Sequence, residues 1–104
     1  MEQRSKAQTF IGFAIRTGRY RIGLNSIESL KKAYLVIACK SASENSVIKA
    51  QKFAEKMHCP LFITKEKLLE EFTSRANSKV MAIADKDLAT AIIDNSENDF
   101  IAKN

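Results

Sequence analysis

The sequence predicts an α/β protein, a three-layer α-β-α sandwich built on a four-stranded mixed sheet. Three observations carry this. Residues 34–39 form an uninterrupted apolar run and residues 80–84 form another. Strands with no polar alternation belong inside a sheet that is covered on both faces. Between and around these runs lie segments whose apolar residues recur at helical spacing. Strand and helix signals alternate along the chain in the order α-β-α-β-α-β-α-β-α, which implies one mixed or parallel sheet with helices on both sides.

Each element has its own signal. Ala7, Phe10, Ile11, Ala14 and Ile15 fall at offsets 0, 3, 4, 7 and 8, the stripe of an amphipathic helix. Gly18 stands where such a helix ends. Arg19-Tyr20-Arg21-Ile22 alternates as a short strand, and Gly23-Leu24-Asn25 breaks it. Asn25 or Ser26 is expected to cap a short helix that contains Ile27 and Leu30 and ends in Lys31-Lys32. After the apolar strand, residues 40–46 form a polar loop rich in capping residues. The third helix presents Val47, Ala50, Ala54 and Met57 inward, with Lys49, Gln51, Lys52, Glu55 and Lys56 on its wet face. Pro60 ends that pattern, and Leu61-Phe62-Ile63 makes a strand, since proline is tolerated at a strand's start. Thr64 is expected to cap a helix with Leu68, Leu69 and Phe72 inward. Residues 75–78 read as a polar turn before the second apolar strand. Asp85 is an N-cap, and Leu88, Ala89, Ile92 and Ile93 give the last helix its apolar face. From Asp94 the pattern decays.

The chain has 104 residues, the size of one domain. We expect a single unit over 1–104, a core over 8–93 and a frayed tail over 96–104. An apolar share of 45% with 28% charged is ordinary globular composition, which excludes wholesale disorder. The longest apolar run is six residues, too short to span a bilayer, so no membrane partner is expected. The start, Met1-Glu2-Gln3-Arg4-Ser5-Lys6, leads into an amphipathic segment rather than a signal peptide's apolar core, which points to the cytoplasm. Cys39 and Cys59 have nineteen residues between them, and there is one histidine. Zinc sites want four soft ligands in close pairs, so neither a metal nor another cofactor is expected.

Charge is uneven. Residues 1–56 hold eleven Lys/Arg against four Asp/Glu, and residues 57–104 hold six against eight. A basic half in a small domain suits an anionic partner, nucleic acid first, although a merely solvated surface has the same composition. Enzyme signatures fail. Three glycines, Gly12, Gly18 and Gly23, cannot make a P-loop or a dinucleotide fingerprint. Cys39, beside Lys40, is the best nucleophile candidate. No arginine stands six positions on, and nothing pairs it with His58. No enzymatic activity is therefore expected. On the binding side, Gly23, Leu24, Asn25 and Ser26 open a helix among Arg16, Arg19, Arg21, Lys31, Lys32 and Lys40. Helix-start amides suit phosphate, and Asn25 and Ser26 suit a base edge or a 2′-hydroxyl. Tyr20 is a stacking face or simply a strand residue.

Phe10-Ile11-Gly12-Phe13-Ala14-Ile15-Arg16-Thr17-Gly18-Arg19 resembles the opening "FlGlAxRAGK" of bacterial YlxQ-like proteins, in the ribosomal protein L-seven-Ae/L-thirty-e superfamily. Gly23 falls where that family has its glycine before the second helix. Leu35-Val36-Ile37-Ala38 followed by Ala42-Ser43-Glu44-Asn45-Ser46 resembles "LVLIAxDASxNT". Cys59-Pro60-Leu61-Phe62-Ile63 resembles "IPYxxV", and Val80-Met81-Ala82-Ile83-Ala84-Asp85 resembles "VVVGITD". The similarity spans about residues 8 to 93. It implies the same sandwich and binding to kink-turns or related bent RNA. In that family the glycine-turn-helix start lies against the RNA. The loop after the second strand and the segment before the last strand flank the bulged nucleotides. Asn25 matches the asparagine of the archaeal "GxNE" form, and Ser26 replaces its glutamate. The family's "LGxAxG" is Leu69-Glu70-Glu71-Phe72-Thr73-Ser74 here, and its aspartate before "AS" is Ser41.

The expectation is a non-enzymatic RNA-binding protein of the translation machinery, with a ribosomal or translation-factor protein as a second kind of partner. Its RNA face would use Gly23, Leu24, Asn25, Ser26, Lys31, Lys32, Lys40, Arg75 and Lys79. The competing expectation is a protein-interaction module of the same fold that has lost kink-turn specificity, because Glu70 and Glu71 put negative charge at the expected RNA face.

Overall fold

In the computed structural model, residues 5–103 are described; the leading residues 1–4 of the segment contrasted with a signal peptide lie outside them. The elements in chain order are α1 (Lys6–Thr17), β1 (Tyr20–Ile22), α2 (Leu24–Glu28), β2 (Leu35–Ala38), α3 (Glu44–Met57), β3 (Leu61–Thr64), α4 (Leu69–Thr73), β4 (Val80–Ile83), α5 (Lys86–Asp94) and β5 (Phe100–Ala102). The fold is mixed α/β with a five-stranded sheet in the order β1-β4-β2-β3-β5. β2 and β3 are parallel, and the other three pairings are antiparallel.

The fifth strand corrects the expectation of four strands and a frayed tail. Phe100 is 4% exposed, and its ring lies 6.0 Å from Phe62 and 5.1 Å from Phe72. Burying that one ring anchors a segment whose other two residues are exposed. The alternation is too short to read as a strand in sequence, and a strand of this length is held by its partner rather than by propensity. β5 covers the edge of β3, pairing Ile63 with Ile101.

Every residue of β2 and β4 is buried. Side chains alternate along them between two apolar clusters. Leu35, Ile37, Met81 and Ile83 join Ala7, Ile11 and Ala14 of α1, Leu69 and Phe72 of α4, and Ala89 and Ile92 of α5. Val36, Ala38, Val80 and Ala82 join Ile27 of α2 and Ala50, Phe53, Ala54 and Met57 of α3.

Helix ends follow local chemistry. Gly18 closes α1 at φ +73°, with the Arg19 N–H reaching the Ala14 carbonyl at 2.9 Å, the pattern of a left-handed cap. His58 closes α3 in the same way at φ +55° and is exposed, so the helix ends before Pro60 rather than at it. Asp85 caps α5, accepting the Leu88 N–H at 3.0 Å.

Three expected ends differ. Neither Asn25 nor Ser26 caps α2; Gly23 holds the N-cap position at φ +92°. α2 also stops at Glu28 instead of reaching Lys31-Lys32, because the Ser29 hydroxyl donates back to the Ser26 carbonyl at 2.6 Å and competes for that acceptor. Thr64 does not cap α4. It ends β3, is buried, and its hydroxyl accepts the Lys40 N–H at 2.9 Å. α4 starts at Leu69 because the Glu71 carboxylate accepts the Leu68 N–H at 2.7 Å, which leaves Leu68 37% exposed instead of inward.

Candidate nucleic-acid interface

The strand registers bring the ends of β1, β2 and β3 and the start of β4 to one end of the sheet. There the Gly23 N–H donates to the Val80 carbonyl at 2.8 Å, and the Cys39 N–H donates to the Lys79 carbonyl at 2.7 Å. Gly23, Leu24, Asn25, Ser26, Lys40, Arg75 and Lys79 therefore gather at this end, from three separate connections. Lys31 and Lys32 do not join them. They precede β2 and so lie at the opposite end, where Tyr34 N–H meets the Ile83 carbonyl.

A cleft of about 580 Å³ runs along the edge strand β1 and reaches this end at Ser26, lined by Gly18, Tyr20, Arg21, Ile22, Ser26 and Arg75. The Arg75 guanidinium lies 5.7 Å from the centre of the Tyr20 ring, within cation–π reach. Arg21 is exposed and braces its guanidinium on the Tyr20 carbonyl at 2.7 Å. Asn25 and Ser26 are exposed on the first turn of α2, and Leu24 packs inward. α2 is one turn and a fraction, and the Gly23 amide is already spent on Val80. Its start therefore offers less to an anion than the sequence suggests, since the end charge of a helix is a sum over aligned peptides.

Arg75 is fixed by residues that sequence reasoning missed. Thr73 and Ser78 are both buried, and their hydroxyls lie 2.9 Å apart. Thr73 Oγ1 accepts the Arg75 N–H at 3.1 Å, and Ser78 Oγ donates to the Arg75 carbonyl at 2.8 Å. Both backbone groups of Arg75 are thus held from below, while its side chain stays in solvent. Two small hydroxyl residues flanking a polar turn are the only sequence signal for this. Ser74 and Asn77 take φ of +58° and +62° to make the turn. Ser74 stands where the resembled family has a glycine.

Lys79 is engaged. Its Nζ donates to Ser41 Oγ at 2.9 Å and lies 3.4 Å from Glu70 Oε2. The two glutamates that distinguish this loop therefore have local work: Glu70 pairs with Lys79, and Glu71 caps α4. Cys39 is fully buried beside them, with its Sγ 3.1 Å from Ser41 Oγ and accepting the Leu69 N–H at 3.3 Å. Burial pushes its thiol pKa up, but the hydrogen bonds from Ser41 and Leu69 outweigh this and leave it lowered. His58 lies at the other end of the sheet, before β3, so the two residues are not a nucleophile–base pair.

Among the described residues no group of His, Cys, Asp and Glu is arranged to hold a metal ion, and no helix is long and apolar enough to cross a membrane.

No family model matches the chain, and no curated protein matches it. Among solved structures, it is similar to a protein with unknown function from Bacillus halodurans C, with a TM-score of 0.71 and 17% identity, covering 88% of this chain and 99% of that one. At that identity the likeness shows the fold.

Proposed function

We propose that this chain is a non-enzymatic RNA-binding protein of the translation machinery, acting in the cytoplasm. Its sheet and two helical layers would be the α-β-α sandwich of the L-seven-Ae/L-thirty-e kind. The observation that carries the reading is the cleft along the β1 edge, where Tyr20 and Arg21 of β1, Ser26 of α2 and Arg75 of the turn before β4 converge. Sequence-specific RNA recognition uses unstacked bases, which stack on aromatic rings or guanidinium planes. Tyr20 and Arg75 supply one of each. Arg21, Arg75 and Lys40 would supply cations for the flanking phosphates, and the exposed Ser26 and Asn25 would supply hydroxyl and amide groups for a base edge or a 2′-hydroxyl.

The test is a titration of the protein against a labelled kink-turn RNA and a straight duplex of equal length, at two salt concentrations. A preference for the bent RNA supports the reading. Tyr20→Ala should then weaken binding by about 1–3 kcal/mol, the usual worth of one base–aromatic stack. Equal binding to both RNAs that is strongly salt-dependent would reduce the cleft to a generic basic face, and no binding to either would refute the reading.

The protein-interaction reading draws on one observation, the neutralisation of Lys79 by Glu70. Glu70→Gly separates the two. If RNA affinity rises, Glu70 restrains an RNA site; if it stays negligible, the cluster serves another partner.

A further inference from the structure

The lysines of α3 segregate from its acids. Lys49, Lys52 and Lys56 stand at i, i+3 and i+7, which places them within an arc of about 60° and along about 10 Å of helix axis. Glu44 and Glu55 lie further round the exposed side of the same helix. Together with Phe53 and with Glu28 of α2, the three lysines line an open groove of about 480 Å³ between the two helices. All three are exposed, and among the described residues none has an ion-pair partner. The Lys56 end of the row points toward the sheet end where Lys31 and Lys32 lie. Lys32 is close enough for its charge to act on Cys59, just beyond α3. Lys32, whose Nζ also lies 5.6 Å from the centre of the Tyr34 ring, thus stands beyond the Lys56 end of the row.

We propose that this strip, Lys49, Lys52 and Lys56 with Lys32 beyond its end, is a second contact surface for the backbone of a duplex RNA stem. It rests on the RNA-binding reading and extends it to a face away from the cleft. Lysine ammoniums are compact point charges on flexible stems, suited to a row of backbone phosphates without fixing base identity. The cleft, with its planar groups, reads bases; the strip adds affinity that salt screens. A lipid surface fits less well. Interfacial helices set a broad apolar face beside their lysines, and the one large exposed apolar residue on α3 is Ile48.

The experiment compares the protein with a Lys49→Ala/Lys52→Ala/Lys56→Ala variant on two kink-turn RNAs, one with a long stem and one with the stem cut back to the bend. On the long stem, the slope of log affinity against log salt should become shallower by about 2 to 3 in the variant, at roughly 0.9 per lost phosphate contact. The preference for bent RNA should persist, and on the short RNA the two proteins should behave alike. An unchanged slope, with the wild type still binding, overturns the strip and leaves the cleft standing. Wild-type binding to neither RNA overturns both. Lysine-dependent binding to phosphatidylserine vesicles alongside an unchanged RNA slope assigns the face to a membrane surface and also overturns the proposal.

Discussion

Gly23 and Ser74 both hold positive φ beside the candidate site, one without a side chain and one with. Gly23 sits at φ +92° and ψ 144°, a region that L side chains rarely adopt. Gly23→Ala should therefore destabilise the fold by about 1–3 kcal/mol, read as a lower urea midpoint at unchanged slope. Ser74 already holds φ +58° with a side chain in place. Ser74→Gly relieves that strain, at the cost of a more flexible unfolded chain, and should stabilise by about 0.5–1 kcal/mol. A loss of stability would show that the Ser74 side chain contributes more than its strain costs. Cys59 gives a pH signature. Burial pushes its thiol up to about 11, against an ordinary value of 9.0, with Lys32 opposing. The folded state thus keeps a proton that the unfolded chain gives up. The associated stability is fully present below pH 9 and is lost as pH rises through 11. Comparing wild type with Cys59→Ala by urea unfolding at pH 8 and pH 10.5 should show their difference shifting in the variant's favour at the higher pH, by up to about 2 kcal/mol. A pH-independent difference would contradict the assignment.

At the scale of elements, β2 and β4 are legible in the sequence because full burial leaves no polar residue in them. α1 and α5 are legible because stripe and cap agree, Gly18 closing one helix and Asp85 opening the other. Elements fixed by tertiary contacts are not legible. β5 depends on one ring meeting Phe62 and Phe72, and the start of α4 depends on a glutamate three residues inside it. Arg75 is visible as a cation in a polar turn, but the buried Thr73–Ser78 pair that fixes its backbone needs two segments to be folded together. Likewise Lys31 and Lys32 read as neighbours of Gly23 in sequence, and the length of α2 and the direction of β2 carry them to the far end. Phe100→Ala should cost about 3–5 kcal/mol, the usual range for emptying a buried phenylalanine site. Removing β5 should also expose the β3 edge and promote association, visible by light scattering. A variant as stable as the parent would mean that β5 is an ornament on a four-stranded core.

For the whole molecule, the sheet sorts its chemistry by end and by face. The apolar clusters take both faces of β2 and β4, which leaves the polar and charged groups to β1, the connections and the solvent side of the helices. The cleft and the lysine strip are on different elements, yet both belong to the basic half of the chain except for Arg75. Net charge over residues 1–56 is +7 against −2 for the rest, and that basic half supplies helices to both faces of the sheet, α1 to one and α3 to the other. The most direct measurement is an amide chemical-shift map of the labelled protein titrated with kink-turn RNA. RNA binding in the cleft along β1 predicts shifts concentrated at Tyr20, Arg21, Ser26, Arg75 and Ser78, with a second set along residues 49–56 when the stem is long. Shifts confined to the solvent side of α1 and α5, or no shifts at all, would contradict it.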